Sequence, residues 1–263
     1  MDFLLSSGKT PPTIIQDAAM TDAEFLHRPR TERGFFAAPG REYGRSRLGA
    51  PLLWFPAEVE GKHSGLILAG THGDETASVV ALSCALRTLP PGSSRAHHVV
   101  LAVNPDGCQL GLRANAGGVD LNRNFPAANW QPDGTLYRWS EDTPVRDVQL
   151  STGDSPGSEP ETQALCRLID QLAPPWVVSF HEPLACIDDP QRSELGGWLA
   201  REFALPLVDS VGYPTPGSFG SWCAERRLHC ITAELPVIAA DSANHRYLTA
   251  LTRLLTHNFL YQC

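Results

Sequence analysis

The stretch Leu66-Ile-Leu-Ala-Gly-Thr-His-Gly-Asp-Glu75 decides the fold, because it joins a short apolar run to a helical segment through a glycine-containing turn. The apolar run Leu66–Gly70 predicts a buried strand, and Glu75–Leu89 predicts the helix that follows it. On both sides of this stretch, short apolar runs alternate with helical segments, a pattern typical of an α/β domain. The other predicted strands are Pro51–Phe55, His98–Val103, Trp176–Phe180 and Cys230–Leu235, and further helices are predicted over Gln191–Phe203 and Ala243–Asn258.

The longest irregular stretch, residues 104–157, is dense in Gly, Pro, Asn and Asp. So long a segment without regular structure inside a compact domain usually carries a site. The helix predicted after it runs to Leu172 and begins with a capping box, in which Ser158 caps the first turn and Glu161 closes the box. Residues 1–30 show no clear periodicity and are interpreted as an N-terminal extension, so that a single domain occupies residues 31–263.

Composition argues against several classes of protein. Of the 263 residues, 42% are apolar and 19% are charged, which allows a sizeable core. The net charge of −8 argues against nucleic acid as a partner, since phosphate binding needs a basic face. No run approaches the roughly 18 apolar residues that a transmembrane helix needs, so no membrane partner is expected. Because the N-terminus lacks the pattern of a secretory signal and the seven scattered cysteines read as reduced thiols, we expect a cytoplasmic protein.

His72 and Glu75 are a candidate pair of metal ligands. They stand three residues apart in a turn that Gly70 and Gly73 permit, at the carboxyl end of a strand, where sites lie in open α/β sheets. An imidazole and a carboxylate suit zinc, and His181, which follows another apolar strand, fits a third ligand. Spacing alone leaves two interpretations open: a zinc site, or ordinary surface histidines with a glutamate favoured by the helix dipole.

Two motifs in the loop-rich stretch extend this pattern. Asn104-Pro-Asp-Gly107 is followed by Arg113 and then by Gly118-Val-Asp-Leu-Asn-Arg-Asn-Phe125. With the His-x-x-Glu turn, a strand-terminal histidine and a strand glutamate, they stand in the order found in the zinc carboxypeptidases, the carboxypeptidase A-like metallopeptidases. The chain resembles this family over residues 65–237. The resemblance implies a single domain with a central mixed, twisted β-sheet flanked by helices.

The resemblance also implies one zinc ion per chain, held by His72, Glu75 and His181. It places Glu234 as the general base that takes a proton from the attacking water and passes it to the leaving amine. From the residues alone, Glu234 ends an apolar run and is read as a half-exposed strand residue rather than as a group held at the mouth of a site.

Four residues between the ligands take implied roles in the same way. By the resemblance, Arg113 polarises the scissile carbonyl, although alone it reads as a solvated loop arginine. Asn122 and Arg123 resemble the pair that binds the terminal carboxylate of the substrate, Arg123 through its planar fork. Asp120 resembles the carboxylate that hydrogen-bonds a zinc-bound imidazole, here His72, although an aspartate in such a turn also suits the turn itself.

Tyr213 lies where zinc carboxypeptidases carry a mobile tyrosine that closes over the substrate. The flanking Pro214 and Pro216 depart from what a freely swinging loop would contain. A tyrosine packed on the loop therefore remains an equal interpretation.

Longer runs are similar to the branch of the family that acts on murein peptides. The similarity implies hydrolysis of the γ-D-Glu–meso-diaminopimelate bond of the small peptide L-Ala-γ-D-Glu-meso-diaminopimelate during cytoplasmic cell-wall recycling. We hypothesise that Asp188, Asp189 and Arg192 line the pocket for the zwitterionic end of diaminopimelate, with a solvated charged loop as the alternative. The runs are Leu66–Glu75, Val99–Ala128, Leu150–Ser179, Pro183–Cys186 and Pro216–Trp222, with a lead-in from Tyr43.

Other functions stay open at this point. A general zinc carboxypeptidase or an aspartoacylase-like deacylase of N-acyl amino acids would use the same ligands. A catalytically inactive protein that binds wall peptides is a rival of another class. The sequence gives no indication of the oligomeric state.

Overall fold

The computed structural model describes residues 30–59, 63–89, 93–138 and 147–259. The proposed N-terminal extension, residues 1–30, lies outside these residues except for Arg30, and Cys263 lies outside them as well. The six cysteines within the described residues are free thiols, in agreement with the sequence prediction.

An eight-stranded mixed sheet forms the centre of the molecule, as predicted. Its strands are β1 (Arg41–Arg45), β2 (Pro51–Phe55), β3 (Leu66–Leu68), β4 (His98–Val100), β7 (Trp176–His181), β8 (Leu184–Asp188), β9 (Leu207–Val208) and β10 (His229–Pro236). They are arranged in the order β1-β2-β4-β3-β7-β10-β8-β9. The four strands β4, β3, β7 and β10 run parallel to one another at the centre. A separate antiparallel hairpin consists of β5 (Thr135–Arg138) and β6 (Asp147–Leu150).

Helices cover both faces of the central sheet and enclose one hydrophobic core on each side. The helices are α1 (Thr76–Thr88), α2 (Pro105–Leu110), α3 (Pro160–Leu172), α4 (Glu194–Phe203), α5 (Phe219–Glu225) and α6 (Ala240–Thr256). Residues of α1, α4 and α6 pack on one face, and residues of α3 and α5 on the other. Every residue of β3, β4 and β7 is buried, as expected for strands covered on both faces. None of the described helices is both long and apolar enough to cross a membrane.

The loop-rich stretch holds more regular structure than its composition predicts. Residues 104–157 contain α2, a short 3-10 helix (Leu121–Arg123) and the hairpin β5–β6. The sequence predictions also omit β8, β9 and α5, of which β8 and α5 border the site described below. These elements are short, so their formation depends on pairing and packing with distant residues rather than on a local pattern.

The capping box predicted for α3 is wrong. Glu159, not Ser158, is the N-cap residue, and no side chain caps this helix end. The Ser158 hydroxyl donates to Glu159 Oε1, and Glu161 accepts from Arg47 N and from Asn115 Nδ2. Ser158 also accepts a hydrogen bond from Asn124 Nδ2, so both side chains are engaged by distant residues and the local capping box does not form.

Candidate metal centre and active site

The candidate site lies at the carboxyl ends of three neighbouring strands. His72 follows β3, His181 is the last residue of β7, and Glu234 lies near the end of β10. Because β7 and β10 are parallel and in register, Glu234 stands opposite His181. The sheet therefore brings together side chains that are far apart in the sequence.

Two glycines shape the turn that carries His72 and Glu75. Gly70 has a φ of 65°, a left-handed conformation that residues with a β-carbon adopt with strain. At Gly73 a β-carbon would lie 2.0 Å from the carbonyl carbon of Gly107 in α2, so only glycine allows this close approach. Helix α1 begins directly after the turn, with Glu75 as its N-cap residue.

His72, Glu75 and His181 are buried, and their ligand atoms converge. Nδ1 of His72 lies 2.6 Å from Oε1 of Glu75 and 3.2 Å from Nδ1 of His181. Nδ1 of His181 lies 2.9 Å from Oε2 of Glu75. In a tetrahedral zinc site with bonds of about 2.0–2.2 Å, two ligand atoms stand about 3.3 Å apart. These spacings fit one shared cation, and two imidazoles with one carboxylate are a donor set that catalytic zinc takes.

Each imidazole presents Nδ1 to this centre and Nε2 to a protein partner. Nε2 of His72 lies 3.1 Å from Oδ1 of Asp120, and Nε2 of His181 lies 3.1 Å from Oγ of Ser179. Because an ionised carboxylate only accepts hydrogen bonds, Asp120 favours the His72 tautomer with its proton on Nε2. The lone pair of Nδ1 then points at the shared centre, which is the arrangement a metal ligand needs.

Charges within the cluster shift its pKa values in opposite directions. Burial and Arg113 lower the pKa of His72, but Glu75 and Asp120 raise it more, to about 9. Burial raises the pKa of Glu75, yet His72 and His181 hold it well below its usual range. Burial also raises the pKa of Asp120, and the charge and hydrogen bond of His72 outweigh it, so the net shift is downward. Both carboxylates are therefore ionised near neutral pH, as a cation site requires.

Glu234 has a different environment from these two carboxylates. Its side chain is buried and borders the same cavity, and the N–H of Leu184 donates to its Oε2 at 3.4 Å. Burial raises the pKa of Glu234; His181 opposes this effect and Glu75 reinforces it, so the net shift is upward. A carboxylate with a raised pKa exchanges protons more readily near neutral pH, which suits a general base.

Arg113 is held in place by partners on two sides. Its Nη1 donates to Oε1 of Glu75 at 3.0 Å, and its Nε donates to Oδ2 of Asp120 at 3.4 Å. The guanidinium carbon lies 4.7 Å from the ring centroid of Tyr137, whose hydroxyl donates to Oδ2 of Asp74 at 2.6 Å. The guanidinium is therefore fixed next to the convergent ligand atoms.

Asn122 and Arg123 lie in the 3-10 helix, for which Asp120 is the N-cap residue. Oδ1 of Asp120 accepts from the N–H of Asn122 at 2.9 Å, and Oδ1 of Asn122 accepts from the N–H of Phe219 at 2.9 Å. Arg123 Nη1 donates to the carbonyl oxygen of Asn122 at 2.7 Å. Both side chains border the cavity on the side of helix α5.

One cavity of about 620 Å³ brings together the residues that the sequence pattern assigns to the site. Tyr213 is one of them, and its side chain is 51% exposed at the rim. The nine residues are His72, Glu75, Arg113, Asp120, Asn122, Arg123, His181, Tyr213 and Glu234.

The hypothesis that three charged residues after His181 line the pocket is wrong for two of them. Asp188 borders the cavity. Asp189 is fully buried and accepts hydrogen bonds from the Ser193 N–H and hydroxyl, with His229 Nε2 at 2.9 Å. Arg192 is exposed, and its guanidinium lies 3.5 Å from Asp209. Asp189 therefore holds Ser193 at the start of helix α4, and Arg192 lies on the surface.

The sequence predictions omit Ser179 and Tyr137 from the site. A signal existed for Ser179, because side chains two residues apart on a strand share a face and His181 was already a candidate ligand. Tyr137 carried no such signal, since it reaches the site through the hairpin β5–β6.

Comparison with known proteins gives consistent results. The family model described as zinc carboxypeptidase matches residues 41–183. The chain is 69% identical over 228 residues to murein peptide amidase A of Escherichia coli strain K12, covering 87% of this chain and 94% of that protein. It is 59% identical to murein peptide amidase A of Vibrio campbellii, covering 88% of this chain and 92% of the relative. The crystal structure of murein-tripeptide amidase MpaA from Escherichia coli O157 superposes with a TM-score of 0.85 at 66% identity, covering 90% and 99% of the two chains.

Proposed function

Because the chain belongs to the zinc carboxypeptidase family of hydrolases, we propose that it is a zinc-dependent amidase of murein peptides that cleaves the γ-D-Glu–meso-diaminopimelate bond. The observation that carries the proposal is the buried cluster of His72, Glu75 and His181, with Glu234 opposite His181 in the next strand. The substrate class rests on the two murein peptide amidases, which match this chain over more than nine-tenths of their own length.

The residues of the cavity divide the chemistry between them. His72, Glu75 and His181 would hold a zinc ion, which when bound would act as a Lewis acid that lowers the pKa of water and polarises a carbonyl. Glu234 accepts the proton of the attacking water and delivers it to the nitrogen of the leaving amine. Arg113 donates hydrogen bonds to the carbonyl oxygen as negative charge develops on it, which typically contributes a few kcal/mol to catalysis.

Substrate orientation falls to Asn122 and Arg123. The residue released from the proposed substrate carries a free carboxylate beside the scissile amide. Arg123 binds this carboxylate through two parallel hydrogen bonds, and the amide of Asn122, fixed by the N–H of Phe219, adds a third. Tyr213 at the rim closes over the bound peptide. This orientation places the scissile carbonyl between Arg113 and Glu234.

The test is a mass-spectrometric assay of L-Ala-γ-D-Glu-meso-diaminopimelate with the wild type and Glu234→Gln, with zinc measured in both. We expect the wild type to release free diaminopimelate. The variant keeps its zinc and loses activity by about 10²–10⁴-fold, the usual contribution of a general base. Glu194→Gln, which changes an exposed glutamate at the start of α4, serves as the matched control.

Other outcomes point to other functions. Equal activity of wild type and Glu234→Gln overturns the mechanism. Turnover of N-acyl amino acids in place of the tripeptide supports an aspartoacylase-like deacylase, and release of ordinary C-terminal residues supports a general carboxypeptidase. Zinc content near zero with peptide binding intact supports an inactive binding protein. We assign the proposed reaction to cytoplasmic recycling of wall peptides, where free tripeptide is the substrate.

A further inference from the structure

Asp188 lies on the wall of the cavity farther along the sheet than Glu234. In the antiparallel pair β10–β8, Glu234 stands opposite Cys186 and Thr232 stands opposite Asp188. Residues directly opposite in such a pair share a face, as do residues two apart on one strand. Thr232, Glu234 and Asp188 all border the cavity. The pair Thr232–Asp188 therefore lies two residues, about 6.8 Å, along the strands from the pair Glu234–Cys186.

The carboxylate of Asp188 has no compensating charge within the described residues. Its Oδ1 is buried and has no hydrogen-bond partner. Burial and the neighbouring Asp189 and Asp209 raise the pKa of Asp188. The nearby Arg192 is exposed and lies beside Asp209 instead. A half-buried carboxylate without a partner costs free energy, unless a ligand supplies the missing cation.

The arginines that border the cavity are engaged elsewhere. Among the described lining residues these are Arg113, which contacts Glu75 and Asp120, and Arg123, which contacts the carbonyl of Asn122. The lining residues that lie close to Asp188 in the sequence or opposite it in the sheet, Pro190, Gln191 and Thr232, are neutral. Asp188 therefore favours a positive group at this end of the cavity.

The length of the released residue matches this position. In diaminopimelate, four carbon–carbon bonds separate the α-carbon from the carbon that bears the distal ammonium, which gives an extended reach of about 5–6 Å to the nitrogen. The distance along the strands from Glu234 to the level of Asp188 is about 6.8 Å. With the leaving amine at Glu234, the distal ammonium arrives beside Asp188.

We propose that Asp188 determines specificity by pairing with the distal ammonium of the residue on the leaving side of the scissile amide. This inference rests on the proposed function, which sets the position of the substrate. It adds a physical reason why the enzyme selects a diaminopimelate side chain. It assigns an acidic residue of β8 to recognition of a cationic side chain.

The experiment uses two tripeptides that differ in one group. L-Ala-γ-D-Glu-meso-diaminopimelate carries the distal ammonium, and L-Ala-γ-D-Glu-2-aminopimelate lacks it while keeping both carboxylates. We expect the zinc-loaded wild type to prefer the first by at least about 100-fold in kcat/KM, because the analogue leaves the carboxylate of Asp188 unpaired. Asp188→Asn reduces this ratio to less than about fivefold by slowing the diaminopimelate peptide. Asp209→Asn, a change at an exposed neighbouring acid, keeps the wild-type ratio.

The outcomes separate this inference from the proposed function. If Asp188→Asn leaves the ratio unchanged, or slows both peptides equally, Asp188 is not a specificity residue and the reaction still stands. If the wild type cleaves neither peptide, the proposed reaction fails, and calorimetry with free meso-diaminopimelate and free 2-aminopimelate still tests the pocket. A wild-type preference for meso-diaminopimelate that Asp188→Asn removes supports the inference, and equal binding of the two amino acids overturns it.

Discussion

Asp120 Oδ1 lies 3.1 Å from Nε2 of His72, and both side chains are buried. The same carboxylate accepts the N–H of Asn122 and a hydrogen bond from Arg113. One aspartate thus connects a proposed zinc ligand, the proposed carbonyl-polarising arginine and the turn that carries the proposed carboxylate clamp. We therefore expect removal of this carboxylate to have its largest effect on metal binding.

We expect Asp120→Ala to weaken zinc binding by about 10–100-fold, because the imidazole of His72 loses the partner that fixes its orientation and tautomer. Competition with a chromogenic chelator measures this affinity directly. Asp106→Ala is an informative control, because Asp106 is a buried aspartate with long-range partners, Ser46 and Leu48, outside the cavity. An unchanged zinc affinity in Asp120→Ala would contradict the assignment.

Tyr137 should position Arg113 through its ring rather than its hydroxyl. A cation–π contact of this kind is worth about 0.5–2 kcal/mol, so Tyr137→Ala should lower kcat by about 2- to 30-fold while zinc content stays constant. Tyr137→Phe keeps the ring and loses only the hydrogen bond to Asp74, so we expect kcat within about threefold of the wild type. Steady-state kinetics per zinc-loaded enzyme distinguish the two variants. A lower melting temperature with unchanged kcat in Tyr137→Ala would indicate a purely structural role.

Strands β2, β3, β4, β7 and β10 were predictable from sequence because their signals are local, and their ends made His72, Glu75 and His181 candidate ligands, although spacing alone left ordinary surface residues as an alternative. A buried apolar run predicts a strand, and a candidate ligand at its end is then placed at the end of that strand. This holds for β3 with His72 and for β7 with His181. The parallel register then brings these strand ends together without further information.

The rest of the site depends on alternation and pairing that no local pattern shows. The sequence predicts no strand at Leu184–Asp188, so Asp188 and Asp189 read as one charged loop. Once β8 is recognised, neighbouring side chains must point to opposite faces, which explains why Asp188 borders the cavity and Asp189 is buried against His229. Tyr137 likewise requires the pairing of β5 with β6.

Arg123 should contribute mainly to binding of the substrate carboxylate. Arg123→Lys keeps the charge but loses the planar fork, and we expect KM for the tripeptide to rise about 10-fold or more, since a hydrogen bond to a charged group is worth about 1.5–3 kcal/mol. The comparison substrate is the same tripeptide with the carboxylate beside the scissile amide converted to a carboxamide. The wild type should prefer the acid strongly and the variant only weakly. An equal loss on both substrates would point to a general disturbance of the cavity.

His97 should make stability depend on pH far from the site. The N–H of Gly65 donates to its Nδ1 at 3.1 Å and its Nε2 donates to the carbonyl of His257 at 2.7 Å, so the buried ring is fully bonded only when neutral. Burial lowers the pKa of His97 to about 4, below the usual value near 6.5. As the pH falls from 6.5 to 4 the unfolded chain gains a proton that the folded chain does not, so about 3 kcal/mol of stability present above pH 6.5 is lost. Urea unfolding of the wild type and His97→Gln across this range should show their difference shrinking toward pH 4, and a constant difference would contradict a neutral buried His97.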